Sequence, residues 1–196
     1  MRTVHLVRHG EVDNPTNVIY GRLPGFRLSE RGRRQAQAAS ARLADANVTL
    51  VIASPMERAQ ETAAAIAAPH GIEVSTDDRL IESGTTLEGV GRTLKELLRS
   101  PGHWWSLRNP LSPSWGESFA DIRRRTMASI MEAFDRTDGE IVIVSHQTPV
   151  LVARLALARR GVPPWLSFMP CGTGSVTTIT LEDGKVVEAS YFAASV

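Results

Sequence analysis

Short apolar runs alternate with amphipathic stretches along the chain. The first run contains Leu6 and Val7 and ends abruptly in Arg8, His9 and Gly10. An apolar run of this length is typical of a strand that is buried on both faces inside a parallel sheet. Gly10 allows the sharp turn that follows. Comparable runs predict further strands at residues 49–53, 73–76 and 141–144.

Helical spacing separates these strands. Ser29 is expected to cap a helix that extends to about Ala46, and further helices are predicted at 56–68, 117–136 and 149–160. Strands that alternate with helices predict a three-layer α/β/α domain with a mostly parallel central sheet.

Three local features refine this picture. Segments 176–181 and 186–192 flank Asp183-Gly184, a strong hairpin signal. Segment 87–98 has helical spacing with interleaved charges, which favours another helix. The consecutive arginines at 123–125 are expected on the outer face of their helix.

The chain length of 196 residues fits one domain with a substantial core. We expect residues 1–196 to form this single domain, with a flap inserted around 83–116. Within the flap, Trp104, Trp105 and Trp115 lie among several prolines. These indoles could line a pocket mouth, pack the flap or contact a second copy of the chain. A homodimer is therefore compatible with the sequence, which leaves the oligomeric state open.

Charge and composition exclude several classes of function. A formal net charge of +1 gives no bulk attraction to nucleic acid or to a membrane surface. No apolar stretch reaches transmembrane length, and the N-terminus lacks the apolar region of a signal peptide, so we expect a cytoplasmic protein. Cys171 is the single cysteine, which excludes an internal disulfide framework.

Metal binding is not predicted. His5 and His9 are four residues apart, which on a strand separates them by about 13 Å. Two ligands of one zinc ion need bonds of about 2 Å, so this pair cannot share a metal. Other His, Cys and carboxylate residues lack ligand spacing, and we expect neither a metal nor another cofactor.

Polar residues follow three of the predicted strands. Arg8 and His9 follow the first, Arg58 lies in the first helical turn after the second, and His146 follows the strand at 141–144. The carboxyl ends of parallel strands meet at one edge of a sheet, where ligands bind in open α/β folds. Two arginines, two histidines and helix N-termini would form an anion pocket there. A phosphoryl group suits it, because arginine matches phosphoryl oxygens bidentately.

These strand ends and three further segments resemble the motifs of the histidine phosphatase superfamily, in its phosphoglycerate mutase-like branch 1. They match in order and span most of the chain. The matching segments are Leu6-Val7-Arg8-His9-Gly10-Glu11, Leu28-Ser29-Glu30-Arg31-Gly32-Arg33-Arg34-Gln35-Ala36, Ser54-Pro55 with Arg58-Ala59 and Glu61-Thr62-Ala63, Leu80-Ile81-Glu82, Gly116-Glu117-Ser118 and Val144-Ser145-His146.

This resemblance implies a role for each matching site residue. His9 is the expected nucleophile, with its other ring nitrogen donating to a backbone carbonyl. Arg8, Arg58 and His146 are expected to hold the phosphoryl oxygens. Glu82 is expected to protonate the leaving oxygen and then to activate water. The implied activity is a phosphatase for a small phosphorylated metabolite that works through phosphohistidine, without a metal.

The sequence also departs from the family pattern. Val12 stands where many relatives have Ser or Thr, and Asn14 lies one position before the asparagine of the mutases. Gln147 replaces the glycine that commonly follows the last histidine. Asn14, Arg22 and Gln147 are weaker candidates for substrate contacts. These departures favour a phosphatase, while a phosphoglycerate mutase and a non-catalytic phospholigand-binding module remain as alternatives.

Overall fold

Six strands form one sheet in the computed structural model, which describes residues 1–91 and 116–196. Their order across the sheet is β3-β2-β4-β1-β5-β6. Neighbours among the first four are parallel, whereas β5 and β6 add antiparallel strands beyond β1. The strands are β1 (Arg2–Arg8), β2 (Val48–Ala53), β3 (Val74–Thr76), β4 (Glu140–Ser145), β5 (Val176–Glu182) and β6 (Lys185–Phe192).

Helices cover both faces of this sheet. Those in the described part of the chain are α1 (Glu30–Leu43), α2 (Glu57–Ala67), α3 (Phe119–Arg136) and α4 (Gln147–Leu157). Leu6 of β1 packs in the core cluster with α3 and α4, and the next residue, Val7, packs in the cluster with α1 and α2. This alternation along a strand gives the sheet two buried faces. The predicted three-layer, mostly parallel architecture is confirmed.

Most helix boundaries agree with the sequence pattern. Ser29 caps α1 as predicted, because its hydroxyl oxygen accepts the N–H of Gly32 at 3.0 Å. The helix ends earlier than predicted, at Leu43. Helix α4 begins at Gln147, before the predicted Pro149. Proline is tolerated there because the first N–H groups of a helix have no partner within the helix.

The helix predicted over 87–98 is wrong at its beginning. Residues 86–89 form a turn in which Gly89 has a φ of +79°, and Gly91 forms an antiparallel bridge with Val18. The backbone of this segment therefore pairs with the loop after β1. The remainder of the predicted helix, and the segment that contains the three flap tryptophans, lie outside the described residues. Of the helices that the structure describes, none combines the length and apolarity needed to cross a membrane.

Candidate active site

The pairing of β1 with β4 brings the two histidines of the predicted site together. The strands are parallel, with Arg8 opposite Ser145, so both end at the same edge of the sheet. The backbone N–H of His9 donates to the Ser145 carbonyl at 3.0 Å. The rings of His9 and His146 are both buried, and their centroids lie 5.1 Å apart.

A backbone carbonyl fixes the orientation of His9. Its Nδ1 lies 2.7 Å from the carbonyl oxygen of Gly10. A carbonyl oxygen only accepts hydrogen bonds, so Nδ1 carries the proton and Nε2 keeps a lone pair. This is the contact that the family resemblance implied. A side chain at position 10 would collide with the carbonyl oxygen of Gly32, which explains the glycine next to the histidine.

Arg58 is fully buried beside this ring. Its Nη2 donates to the carbonyl of Gly21 at 2.7 Å, and its guanidinium carbon lies 4.8 Å from the centre of the Tyr20 ring. Its Nε and Nη1 are buried and have no hydrogen-bond partner among the described residues. Arg58 therefore presents two unused donors from a rigidly held side chain.

Arg8 and His146 show the same incomplete pairing. Arg8 donates from Nη1 to the carbonyl of Cys171 at 2.6 Å, whereas its buried Nε has no partner within the described chain. His146 pairs through Nε2 with the hydroxyl of Ser54 at 2.8 Å, and its Nδ1 is buried without a partner there. A buried polar group that lacks a partner costs about 1–3 kcal/mol. Several such nitrogens, on side chains that neighbour the His9 ring, suit an anion with several acceptor oxygens.

The electrostatics of the site keep both imidazoles neutral. Burial, followed by the nearby cations Arg58 and Arg8, holds the pKa of His9 well below its usual value. Burial, then the neighbouring His9 and both arginines, lowers the pKa of His146 in the same direction. Near neutral pH, His9 is therefore an uncharged imidazole with an available lone pair.

Glu82 completes the group of predicted catalytic residues. Burial raises its pKa above the usual glutamate value, while hydrogen bonds from Ser83 and the charges of Arg58 and Arg8 oppose that rise. The raised pKa favours the protonated carboxyl group, which is the form that a general acid needs.

A small cavity of about 160 Å³ opens at this edge of the sheet. Arg8, His9, Glu82 and Gln147 contribute to its wall. The amide nitrogen of Gln147 donates to the carbonyl of Ser167 at 3.1 Å, which fixes this side chain at the cavity rim. Residues 1–91 and 116–196 contain no group of three or more His, Cys, Asp or Glu side chains that could hold a metal ion.

Two weaker candidates for substrate contacts lie away from the cavity. The side-chain amide of Asn14 pairs with both backbone polar groups of Val18, at 2.9 and 3.2 Å, so it organises its own loop. Arg22 donates from Nε to the carbonyl of Glu82 at 2.8 Å and from Nη2 to the Glu117 carboxylate at 2.9 Å. Arg22 therefore supports the backbone of Glu82 and does not line the cavity.

The prediction of an outer-face position is wrong for Arg125. Its side chain is only 15% exposed, and it forms an ion pair with Glu117 at 2.7 Å, whereas the neighbouring Arg124 is 78% exposed. Arg125 also donates to the carbonyls of Arg79 and Ile81 at 2.6 and 2.7 Å. The available signal was its spacing, three residues after the buried Ile122 in the apolar stripe of α3.

Comparisons with known proteins agree with the family whose motifs the sequence resembles. A model of the histidine phosphatase superfamily (branch 1) matches residues 4–193. The uncharacterized protein Rv0525 of Mycobacterium tuberculosis (strain ATCC 25618 / H37Rv) is 47% identical, over 96% of this chain and 94% of its own. Phosphoserine phosphatase 1 of Hydrogenobacter thermophilus is 30% identical, over 93% and 88% respectively. The solved structure of the mycobacterial glucosyl-3-phosphoglycerate phosphatase Rv2419c with VO3 gives a TM-score of 0.77 at 26% identity, covering 92% of this chain and 93% of that one.

Proposed function

Because the chain belongs to the histidine phosphatase superfamily (branch 1), we propose that it is a phosphatase that hydrolyses a small phosphorylated metabolite through a phosphohistidine on His9, without a metal. One observation carries this proposal. Four buried nitrogens of Arg8, Arg58 and His146 have no partner among the described residues, and they belong to side chains around a neutral, oriented histidine. The phosphatases among the similar proteins support the same class of activity.

In the first step, the Nε2 lone pair of His9 attacks phosphorus and the bond between phosphorus and the ester oxygen breaks. Glu82 gives its proton to that oxygen, so the product leaves as an alcohol. Arg8 and Arg58 stabilise the charge on the transferred group, which is the main task of a protein in phosphoryl transfer. The Nδ1–H of His146 donates to a phosphoryl oxygen, which leaves its Nε2 to accept from the Ser54 hydroxyl.

In the second step, Glu82 is ionised and takes a proton from a water molecule. The water oxygen attacks phosphorus, the bond from phosphorus to Nε2 breaks, and its electron pair returns to the ring. Inorganic phosphate then leaves, and Glu82 again holds the proton needed for the next cycle. The two steps together require Glu82 to alternate between acid and base, which its opposed electrostatic environment allows.

The experiment is turnover of p-nitrophenyl phosphate with EDTA present, compared between the wild type and His9→Ala. We expect metal-independent turnover and an acid-labile phosphoenzyme in the wild type, and neither in the variant. Vanadate should inhibit competitively, since its adduct on Nε2 resembles the in-line transition state. Turnover near the wild-type rate in His9→Ala, or activity that EDTA abolishes and a divalent metal restores, would exclude this mechanism.

Two further assays separate the alternatives. A phosphoglycerate mutase would interconvert 3- and 2-phosphoglycerate in the presence of 2,3-bisphosphoglycerate, and a non-catalytic module would bind phosphate without turnover. We expect hydrolysis to be faster than any interconversion of the phosphoglycerates, and we expect turnover and not binding alone. A panel of phosphoserine, glucosyl-3-phosphoglycerate, sugar phosphates and α-ribazole phosphate, ranked by kcat/KM, then identifies the class of substrate.

A further inference from the structure

Ser83 makes two hydrogen bonds to the side chain of Glu82, and both fall on the same oxygen. The backbone N–H of Ser83 lies 2.8 Å from Oε1 of Glu82, and its hydroxyl oxygen lies 3.2 Å from the same atom. The backbone bond survives any substitution that keeps the loop conformation. The hydroxyl bond depends on the identity of residue 83.

The hydroxyl of Ser83 has a second neighbour. It lies 3.4 Å from the hydroxyl oxygen of Thr148, in the first turn of α4. A serine hydroxyl carries one proton and two lone pairs, so it can donate to only one of these two groups. When Glu82 is ionised, the Ser83 proton points to Oε1 and the Thr148 hydroxyl can donate to Ser83. When Glu82 is protonated, the Ser83 hydroxyl can turn its proton to Thr148.

We infer that Ser83 is a positioning residue that sets the balance between the acid and base forms of Glu82. This inference rests on the proposed function of Glu82. Two donors hold Oε1, which makes that oxygen less basic, so the proton that Glu82 gains and loses resides on Oε2. The hydroxyl of Ser83 favours the ionised form, and it thereby supports the second step, in which Glu82 activates water.

Other charged groups also act on Glu82, and they set the background for this effect. Arg8 at the end of β1 and Arg58 in α2 favour the ionised carboxylate. His9 and His146 are neutral near pH 7 and add no charge at that pH. Arg22 and Arg125 donate to the backbone carbonyl of Glu82, at 2.8 and 3.5 Å, and both also donate to the carboxylate of Glu117. None of these contacts changes when only the hydroxyl of residue 83 is removed.

The direct test is an NMR titration of the Glu82 carboxyl carbon in protein labelled with ¹³C-glutamate, with Glu82→Gln used for assignment. Ser83→Ala removes the donor, and we expect the pKa of Glu82 to rise by about one pH unit. Ser83→Thr keeps a hydroxyl and should restore the wild-type titration, and Ser83→Cys, a weaker donor, should fall between. An unchanged or lowered pKa in Ser83→Ala would overturn the inference, as would an equal shift in Ser83→Thr.

The rates give an independent readout that a merely structural role would not move. With an alkyl phosphate, the alkaline limb of kcat/KM should shift upward in Ser83→Ala by the same amount, because the acid form of Glu82 persists to higher pH. The acidic limb of the pH profile for phosphohistidine hydrolysis should also shift to higher pH, because Glu82 must be ionised to act as the base. A uniform fall at all pH values would indicate structural damage and contradict the inference. Since the titration needs no turnover, it tests Ser83 even if the phosphohistidine mechanism fails.

Discussion

Arg125 and Glu117 form a bidentate ion pair next to the backbone of Glu82. Nε of Arg125 lies 2.7 Å from one carboxylate oxygen of Glu117, and Nη2 lies 2.9 Å from the other. The remaining nitrogen, Nη1, donates to the carbonyls of Arg79 and Ile81. A planar guanidinium can make all these bonds at once, whereas a lysine cannot. The pair therefore fixes the backbone that carries the proposed general acid.

Arg125→Lys is expected to impair catalysis while leaving the phosphoryl site intact. It keeps the charge but loses the fork that holds the backbone before Glu82. A displacement of about 1 Å in a catalytic group can cost roughly 10²-fold in rate, so we expect kcat/KM for an alkyl phosphate to fall about 10- to 100-fold. Inhibition by inorganic phosphate should change little, because Arg8 and Arg58 are untouched. Steady-state kinetics and phosphate inhibition constants measure both effects.

Arg124→Lys is the matched control, because this neighbouring arginine is exposed and pairs with Asp121 on the helix surface. Its kinetics should equal those of the wild type. If Arg125→Lys and Arg124→Lys behaved alike, the ion pair next to the backbone of Glu82 would have no part in catalysis.

Arg58→Met should separate activity from stability. Removing one transition-state donor commonly costs roughly 10²–10³-fold in rate, and Arg58 presents two donors that have no partner among the described residues. The apolar side chain also removes a buried charge, so the free energy of unfolding should change by less than about 2 kcal/mol and can increase. Kinetics and urea unfolding measure the two effects. Arg33→Met, on the exposed side of α1, serves as the control, and a severely destabilised Arg58→Met with retained activity would indicate a structural role.

The sequence predicts the sheet well because the signal for a buried strand is local. The apolar side chains of β1 and β4 are buried on both faces of the sheet. The carboxyl ends of the two strands lie side by side in the observed register. The segment beginning at Leu87 shows the limit of periodicity. Its spacing fits a helix, but the positive φ of Gly89 and the bridge from Gly91 to Val18 impose a turn. Such pairing between distant segments is invisible in a local pattern.

The same distinction applies to the candidate site. Arg8 ends β1, and His9 and His146 directly follow β1 and β4, so their convergence can be predicted from topology alone. The positions of Arg22 and Arg125 depend on contacts with Glu117 and with the carbonyl of Glu82, segments that are far apart in the chain. Ser83 is missed for a different reason, since a serine in a loop carries no distinguishing pattern.

The buried histidines should make stability depend on pH. The folded-state pKa values of His9 and His146 lie below the unfolded value of about 6.5, because of burial and nearby cations. Below that pH the unfolded chain binds more protons, so the free energy of unfolding falls as the pH decreases, by up to about 1.4 kcal/mol per pH unit for each histidine. His9→Asn should remove one such contribution between pH 6.5 and 5.

Urea unfolding of the wild type and His9→Asn at a series of pH values tests this dependence. Above pH 8 the difference in the free energy of unfolding between the two proteins should not change with pH, and this plateau is the internal reference. Glu82 acts in the opposite direction, because its raised pKa lets the folded state bind the extra proton. The difference between wild type and variant isolates His9 from this compensation, and a difference that stays constant down to pH 5 would show that His9 titrates normally.

Glu82→Gln gives the sharpest test of the proposed chemistry. Glutamine keeps the size of the side chain and can still accept a hydrogen bond from Ser83, but it can neither give up nor take up a proton as catalysis requires. An alkyl phosphate has a poor leaving group, so its first step should slow by roughly 10²–10⁴-fold. Nitrophenolate leaves with little protonation, so phosphorylation of His9 by nitrophenyl phosphate should survive.

The second step of the same variant should stall, because no base activates water against the phosphohistidine. Rapid mixing should then show a burst of nitrophenol close to one per active site, followed by slow turnover. Acid-labile phosphohistidine should accumulate with the same time course, and Glu88→Gln, at a carboxylate that instead accepts from the Arg22 backbone N–H, should show no burst. Equal losses in both steps for both substrates would exclude an acid–base role for Glu82. A burst without trapped phosphohistidine would contradict the role of His9 as the phosphoryl acceptor.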